Sequence, residues 1–352
     1  MSAALRWNVW LTAIAAVFAF GLGMVTPRTF HASDPELRIR GDALEYIQLG
    51  RGAAPSAVAV PFRYRVLVPW MASALPLPVE RAIRAVSLLC LLGVLISLMV
   101  IGARLGLGTV ATALGIASVS GTSSMLYAFH NPYLTDQFGV LMVTAALAAL
   151  LGRRPLMFAA LVTLGSIGRE SVAFIAPAYL ITSVVTRNGD DLQRRGLLLL
   201  GMVLPVLASV ILRVLPTFGE HGLARYIGYY SPTLGELGPI RRPLDFIIGV
   251  AMSWEWVWIA SLAGLALMGS ALAPGRLGKD GPPWTRVGLR VTFVLLMAGG
   301  LATIVANGML DPNRHLLGAA PVVAIGVMVF VHAVRCATTP AAFTAGVASI
   351  AV

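Results

Sequence analysis

Charge is scarce in this sequence. Only 12% of its 352 residues are Asp, Glu, Lys or Arg, against 58% hydrophobic residues and a mean hydropathy of +0.84. A water-soluble chain of that length needs far more polar surface, so a soluble globular fold is excluded and a polytopic membrane protein follows. Cysteine is down to two residues, Cys90 and Cys336, each inside an apolar run. They read as packed thiols rather than as a disulfide or a metal pair. The motifs of soluble enzymes are missing too: there is no GxGxxG before a helix, no GxxxxGK[ST], no HExxH and no GxSxG. No period repeats and no long polar block intervenes, so residues 1–352 read as a single transmembrane domain.

Lysine is nearly absent. A single Lys279 accompanies 25 arginines, and the net charge is +11. These cations lie in short loops between apolar runs, which argues against nucleic acid as a partner. Membrane lipids and phosphorylated lipid substrates fit better, because the planar guanidinium grips phosphate with two parallel hydrogen bonds.

What is present is a series of apolar runs, at 8–25, 83–103, 107–126, 137–152, 196–214, 245–272, 287–306 and 316–334. The stretch 155–186 is too long for one span and carries Arg169–Glu170 in its middle. A charge stranded at the bilayer centre costs a few kcal/mol, so two short helices with "GRES" at the turn are expected. The fold class is therefore all-α: a polytopic integral membrane protein of about ten membrane helices with short interfacial helices on its outer face. The positive-inside rule puts both termini and the short basic loops in the cytoplasm. It leaves a long outer loop at 26–82 and further outer loops at 127–136, 215–244 and 307–315.

The polar residues gather in those outer loops. On "GDALEYIQLG", Asp42, Glu45 and Tyr46 stand at i, i+3 and i+4 and share one helical face. Leu44, Ile47 and Leu49 suggest a helix lying along the membrane surface. Either it is a solvated interfacial helix, or it presents a carboxylate as general base at the membrane edge. Arg63 and Arg65 flank Tyr64 in "PFRYRVLVP", where they meet lipid phosphate or hold the phosphate of a lipid-linked substrate. In "YAFHNPYLTDQFG", His130 and Asp136 close a helix pair; Asp136 is either a helix cap or a site residue. One His with one Asp does not make a metal ligand set. Arg169 and Glu170, placed at membrane depth, have to be paired or line a watery cavity. Arg314 and His315 precede the last span.

In order, "GDALEY", "PFRYRVLVP", "NPYLTD", the "GRE" turn and "DPNRHLLGAAP" resemble the polytopic GT-C glycosyltransferases of bacterial inner membranes. The resemblance implies transfer of a sugar from a polyprenyl-phosphate-linked donor on the periplasmic face of the inner membrane. It implies Asp42 as base, from its place in the first outer loop, and Arg314 as the arginine that meets the donor phosphate. The chain is short for that family, and its first-loop acid is a spaced D-x-x-E, which leaves the base open between Asp42 and Glu45. Tyr46, Arg63, Arg65, His130, Asp136, Arg169, Glu170 and His315 complete the expected substrate-binding set. A lipid phosphate is a good leaving group, so the expected chemistry needs no metal and no cofactor. Two other classes fit the same sequence: a transporter or flippase of lipid-linked substrates, and a non-catalytic subunit of a larger membrane complex.

Overall fold

Apolar runs punctuated by glycine, proline and arginine fold as helices, and no strand forms among the described residues. The structure is a computed structural model and describes residues 41–59, 62–215, 251, 253–255, 257–273, 275–306 and 312–338. In chain order the helices are α1 (Asp42–Gly50), α2 (Leu67–Ser73), α3 (Val79–Arg104), α4 (Thr109–Ser120), α5 (Ser123–His130), α6 (Asp136–Leu151) and α7 (Pro155–Gly168). There follow α8 (Ala178–Val185), α9 (Gly189–Gln193), α10 (Arg195–Val214), α11 (Val257–Leu267), α12 (Pro283–Ala306), α13 (Pro312–Leu316) and α14 (Ala320–Thr338). Proline opens α7, α12 and α13, where its missing N–H would have had no helical acceptor.

Among the described residues three stretches are each long and apolar enough to cross a membrane: Val79–Arg104, Pro283–Thr303 and Arg314–Thr338. The run expected as one span at 107–126 is a pair, α4 and α5, bent by 73°, and together the two are long and apolar enough for one broken span. Thr122 is extended there and its hydroxyl donates to the Val119 carbonyl at 2.6 Å, which ends α4. The remaining apolar helices of 10–17 residues include α6, α7 and α11. The expected first span at 8–25 and the outer loop 215–244, apart from Leu215, lie outside the described residues.

α14 is buried on every side from Ala320 to Val329, as expected of a helix that is apolar all round. It packs against α11 and α4. The α11 crossing is possible only because two glycines face each other there. A Cβ added at Gly264 would stand 1.8 Å from the Gly326 carbonyl oxygen. Gly264→Ala must therefore push the two helices apart, and overpacking of this kind removes about 1–3 kcal/mol. A melting temperature in detergent equal to the wild type's would show that this crossing is not close-packed.

The stretch 155–186 folds back on itself. α7 ends at Gly168, Arg169 is extended, and a 3-10 turn (Glu170–Ile175) leads into α8. Phe158 near the start of α7 meets Tyr179 in α8 at 5.6 Å between ring centroids, and Tyr179 meets Trp284 at 5.1 Å. The Trp284 indole N–H donates to the Leu150 carbonyl at 2.9 Å. Both limbs thus begin and end beside the C-terminal end of α6, and the turn at Arg169–Glu170 lies toward its N-terminal end. α6 has 16 residues and so separates the two ends by roughly 24 Å.

The apolar residues of α1, expected to lie along a membrane surface, are largely covered by protein. Ile47 and Leu49 are buried along with Tyr46, while only Leu44 is exposed. The apolar face packs on α2 and α3, because burial against protein removes the same surface from water and also fixes the helix.

Candidate functional site

Every charged side chain of the site stands at a helix end or a break. Asp42 is the first residue of α1 and Asp136 the first of α6. Arg169 and Glu170 form the hairpin turn, and Arg314 belongs to the short α13. Arg65 follows the 3-10 turn Phe62–Tyr64. Helix ends let an apolar sequence carry charge away from the middle of its apolar runs, where an unpaired charge is costly. The first turn of a helix also favours a carboxylate through its dipole. Thr135 and Asp136 make no side-chain cap, so of the two readings of Asp136, capping gives way to ion pairing.

Asp136, 1% exposed, lies between two guanidiniums. Its Oδ1 pairs with Arg169, and its Oδ2 accepts from Arg314 Nε at 3.0 Å. Arg314 reaches further, to the Asp42 carboxylate, whose side chain is 27% exposed. The sequence separation is 178 residues in one pair and 272 in the other. Arg65 uses its fork on Glu170, with Nε to Oε2 at 2.8 Å and Nη2 to Oε1 at 2.9 Å. Its third nitrogen, Nη1, donates to the Tyr46 hydroxyl at 2.9 Å. Arg169 Nε donates to Ser171 Oγ at 3.1 Å. The chain leaves room for this: a Cβ at Gly139 would stand 2.9 Å from Arg169 Cδ.

Three arginines thus face three carboxylates in a network that is neutral as a whole. One donor remains. Arg314 Nη2 is buried and has no hydrogen-bond partner among the described residues. Arg314 lines a small cavity with Asp136, Arg169, Ser171 and His315. That cavity has a volume of about 20 Å³, room for little more than a water molecule. Any larger ligand has to open the network, and the partly exposed Asp42–Arg314 pair is the accessible place to do so.

No known family, no curated protein and no solved structure matches the chain.

Of the residues expected from the sequence, Asp42, Tyr46, Arg65, Asp136, Arg169, Glu170 and Arg314 come together in the network, and His315 borders its cavity. Glu45 turns away: its carboxylate accepts the Ala59 backbone N–H at 3.1 Å. Arg63 is buried in the turn that precedes Arg65. The side chain of His130 lies outside the described residues. Among the described residues no three His, Cys, Asp or Glu side chains converge as a metal site would require. Sequence reasoning missed Ser171 as the partner of Arg169, and it missed Thr135, whose hydroxyl lies 3.5 Å from the Tyr46 hydroxyl. Both are small polar residues one or two positions from a singled-out charge, the only sign they offered.

Arg65 has a consequence for experiment. Its fork is occupied by Glu170, so Arg65→Lys should destabilise the fold by about 1.5–3 kcal/mol, the worth of hydrogen bonds to a charged group. Chemical denaturation measures this. A Lys variant as stable as the wild type would mean that the paired geometry carries no folding energy.

Proposed function

We propose that the chain is a polytopic membrane glycosyltransferase of the GT-C type, with about ten membrane helices. In this reading it lies in the bacterial inner membrane and transfers a sugar from a polyprenyl-phosphate-linked donor to an acceptor on the periplasmic face. The observation that supports this most is the Asp42–Arg314 ion pair. It joins an acidic residue near the start of the chain to an arginine at the start of the last apolar span, and that arginine also lines the polar cavity.

The chemistry assigns each of them a role. The acceptor hydroxyl oxygen attacks the anomeric carbon and its proton passes to Asp42. The bond from that carbon to the phosphate oxygen breaks, and the polyprenyl phosphate leaves with the electron pair. Arg314, released from Asp42, meets the developing phosphate charge, with Nη2 already unengaged. A base and a cation that acts on the leaving group are what an inverting transfer requires.

A transporter or flippase of the same lipid-linked substrates is the second reading. Two broken helical elements, the bent α4–α5 pair and the hairpin at Arg169–Glu170, favour it, since transporters bind substrate at discontinuous helices. One experiment separates the two. Protein in sealed vesicles is given a polyprenyl-phosphate donor with radiolabelled sugar and a panel of acceptors. Label in a product freed from the lipid supports transfer. Label that crosses the bilayer still attached to the lipid rejects transfer in favour of transport.

A further inference from the structure

At the end of α6 opposite the ion-pair network, Gly152, Arg153 and Arg154 turn the chain into α7. Two adjoining cavities of about 380 and 310 Å³ open beside this turn and share Leu151, Gly152, Arg276 and Thr285. The larger also takes in Arg104 and Arg154. Its floor is apolar and buried, through Leu105 and Ile101, while the three arginines stand exposed at its rim. These volumes fall in the range of small-ligand sites.

Other arginines at this end are spent on the fold. Arg286 donates to the carbonyls of Gly278 and Lys279, and Arg290 to those of Leu265 and Met268. Arg153, held at a φ of 53°, lies over the Trp284 ring at 5.1 Å. Arg104, Arg154 and Arg276 differ: among the described residues no carboxylate pairs with any of them. Three like charges around one cavity repel each other until an anion joins them, and a guanidinium suits a phosphate oxygen pair.

The surface beside the cavity indicates where that phosphate comes from. Leu89, Leu92, Ile96 and Val100 are all exposed and follow one side of α3 down to Arg104. The stripe from Leu89 to Arg104 is roughly 22 Å long, enough to accommodate an acyl chain through one leaflet of about 15 Å. Leu156 and Met157, just beyond Arg154, are exposed as well. A phospholipid whose chains lie on these apolar faces carries its phosphate to the level of the arginines.

We propose that this pocket binds the phosphate of an anionic phospholipid headgroup. The inference rests on the membrane placement proposed above but not on sugar transfer. The test uses the full-length protein in mixed micelles of equal phosphatidylglycerol and phosphatidylcholine, with retained lipid counted by native mass spectrometry. Wild type should keep phosphatidylglycerol in preference. Arg104→Gln, Arg154→Gln and Arg276→Gln should each weaken retention about fivefold, whereas Arg81→Gln, at the other end of α3, should not. Inorganic phosphate at the same concentration should fail to displace the lipid; full displacement would assign the site to soluble phosphate and overturn the lipid source. Equal retention of both lipids, or a preference that survives the triple substitution, overturns the site itself. Sugar transfer by the triple variant is measured separately and should be unchanged, so a failure of the transferase reading cannot be mistaken for a failure of this one.

Discussion

Asp136→Asn should remove about 3–5 kcal/mol of stability, the loss typical when one partner of a buried ion pair is deleted. Asp136 is 1% exposed and serves two arginines at once. Asparagine fills the same volume, so the effect isolates the charge. Arg314 keeps Asp42 as a carboxylate partner, but among the described residues Arg169 loses its paired carboxylate and keeps only neutral acceptors, the Ser171 hydroxyl and the asparagine amide oxygen. A buried cation without its counter-charge is among the most expensive states a folded protein can hold. The double variant Asp136→Asn/Arg169→Leu removes the stranded cation along with its partner and should recover a good part of the loss. Denaturant titration of the single and double variants closes the cycle. If Asp136→Asn unfolds within about 0.5 kcal/mol of wild type, the network is not what holds the hairpin turn against α6.

Asp42→Asn is expected to leave the folded protein in place and to abolish sugar transfer. Its carboxylate is 27% exposed and meets a single guanidinium, so its contribution to stability should be under about 1 kcal/mol. A positioned general base contributes about 10²- to 10⁴-fold to rate, and that is the expected drop in turnover. Glu45→Gln should do less, because the Glu45 carboxylate is engaged with the Ala59 backbone N–H rather than with Arg314. The comparison of the two variants decides which acid is the base, a choice the D-x-x-E spacing left open. Normal transfer by Asp42→Asn together with a dead Glu45→Gln would reverse the assignment. Normal transfer by both would remove the first loop from the chemistry.

The two ends of α6 carry opposite kinds of polar arrangement. At its N-terminal end charges are matched, three against three, and mostly buried. At its C-terminal end arginines collect around an open pocket without carboxylates. A matched cluster holds helices in register and opens only when a ligand replaces one of its pairs. An unmatched cluster attracts anions directly. The same residue type thus does structural and recruiting work within about 24 Å.

Much of this was legible in the sequence. The apolar runs located most of the helices that the structure describes, among them three that are long and apolar enough to cross a membrane. The cost of a stranded charge located the turn at Arg169–Glu170 before any coordinates. The same reasoning required those two charges to be paired or wet, and they are paired. Their partners were not legible. Asp136 for Arg169, Arg65 for Glu170 and Asp42 for Arg314 lie 33, 105 and 272 residues apart, and any carboxylate suits any guanidinium. The break at Thr122 within an apolar run, and the burial of Ile47 and Leu49 against protein, were equally out of reach, since both depend on which neighbour packs there. Residue type determined by itself that the described chain is helical and apolar, because solvation and backbone hydrogen bonding act locally. Only the tertiary structure decided which charges meet, because pairing is set by where helix ends converge in space and not by their order along the chain.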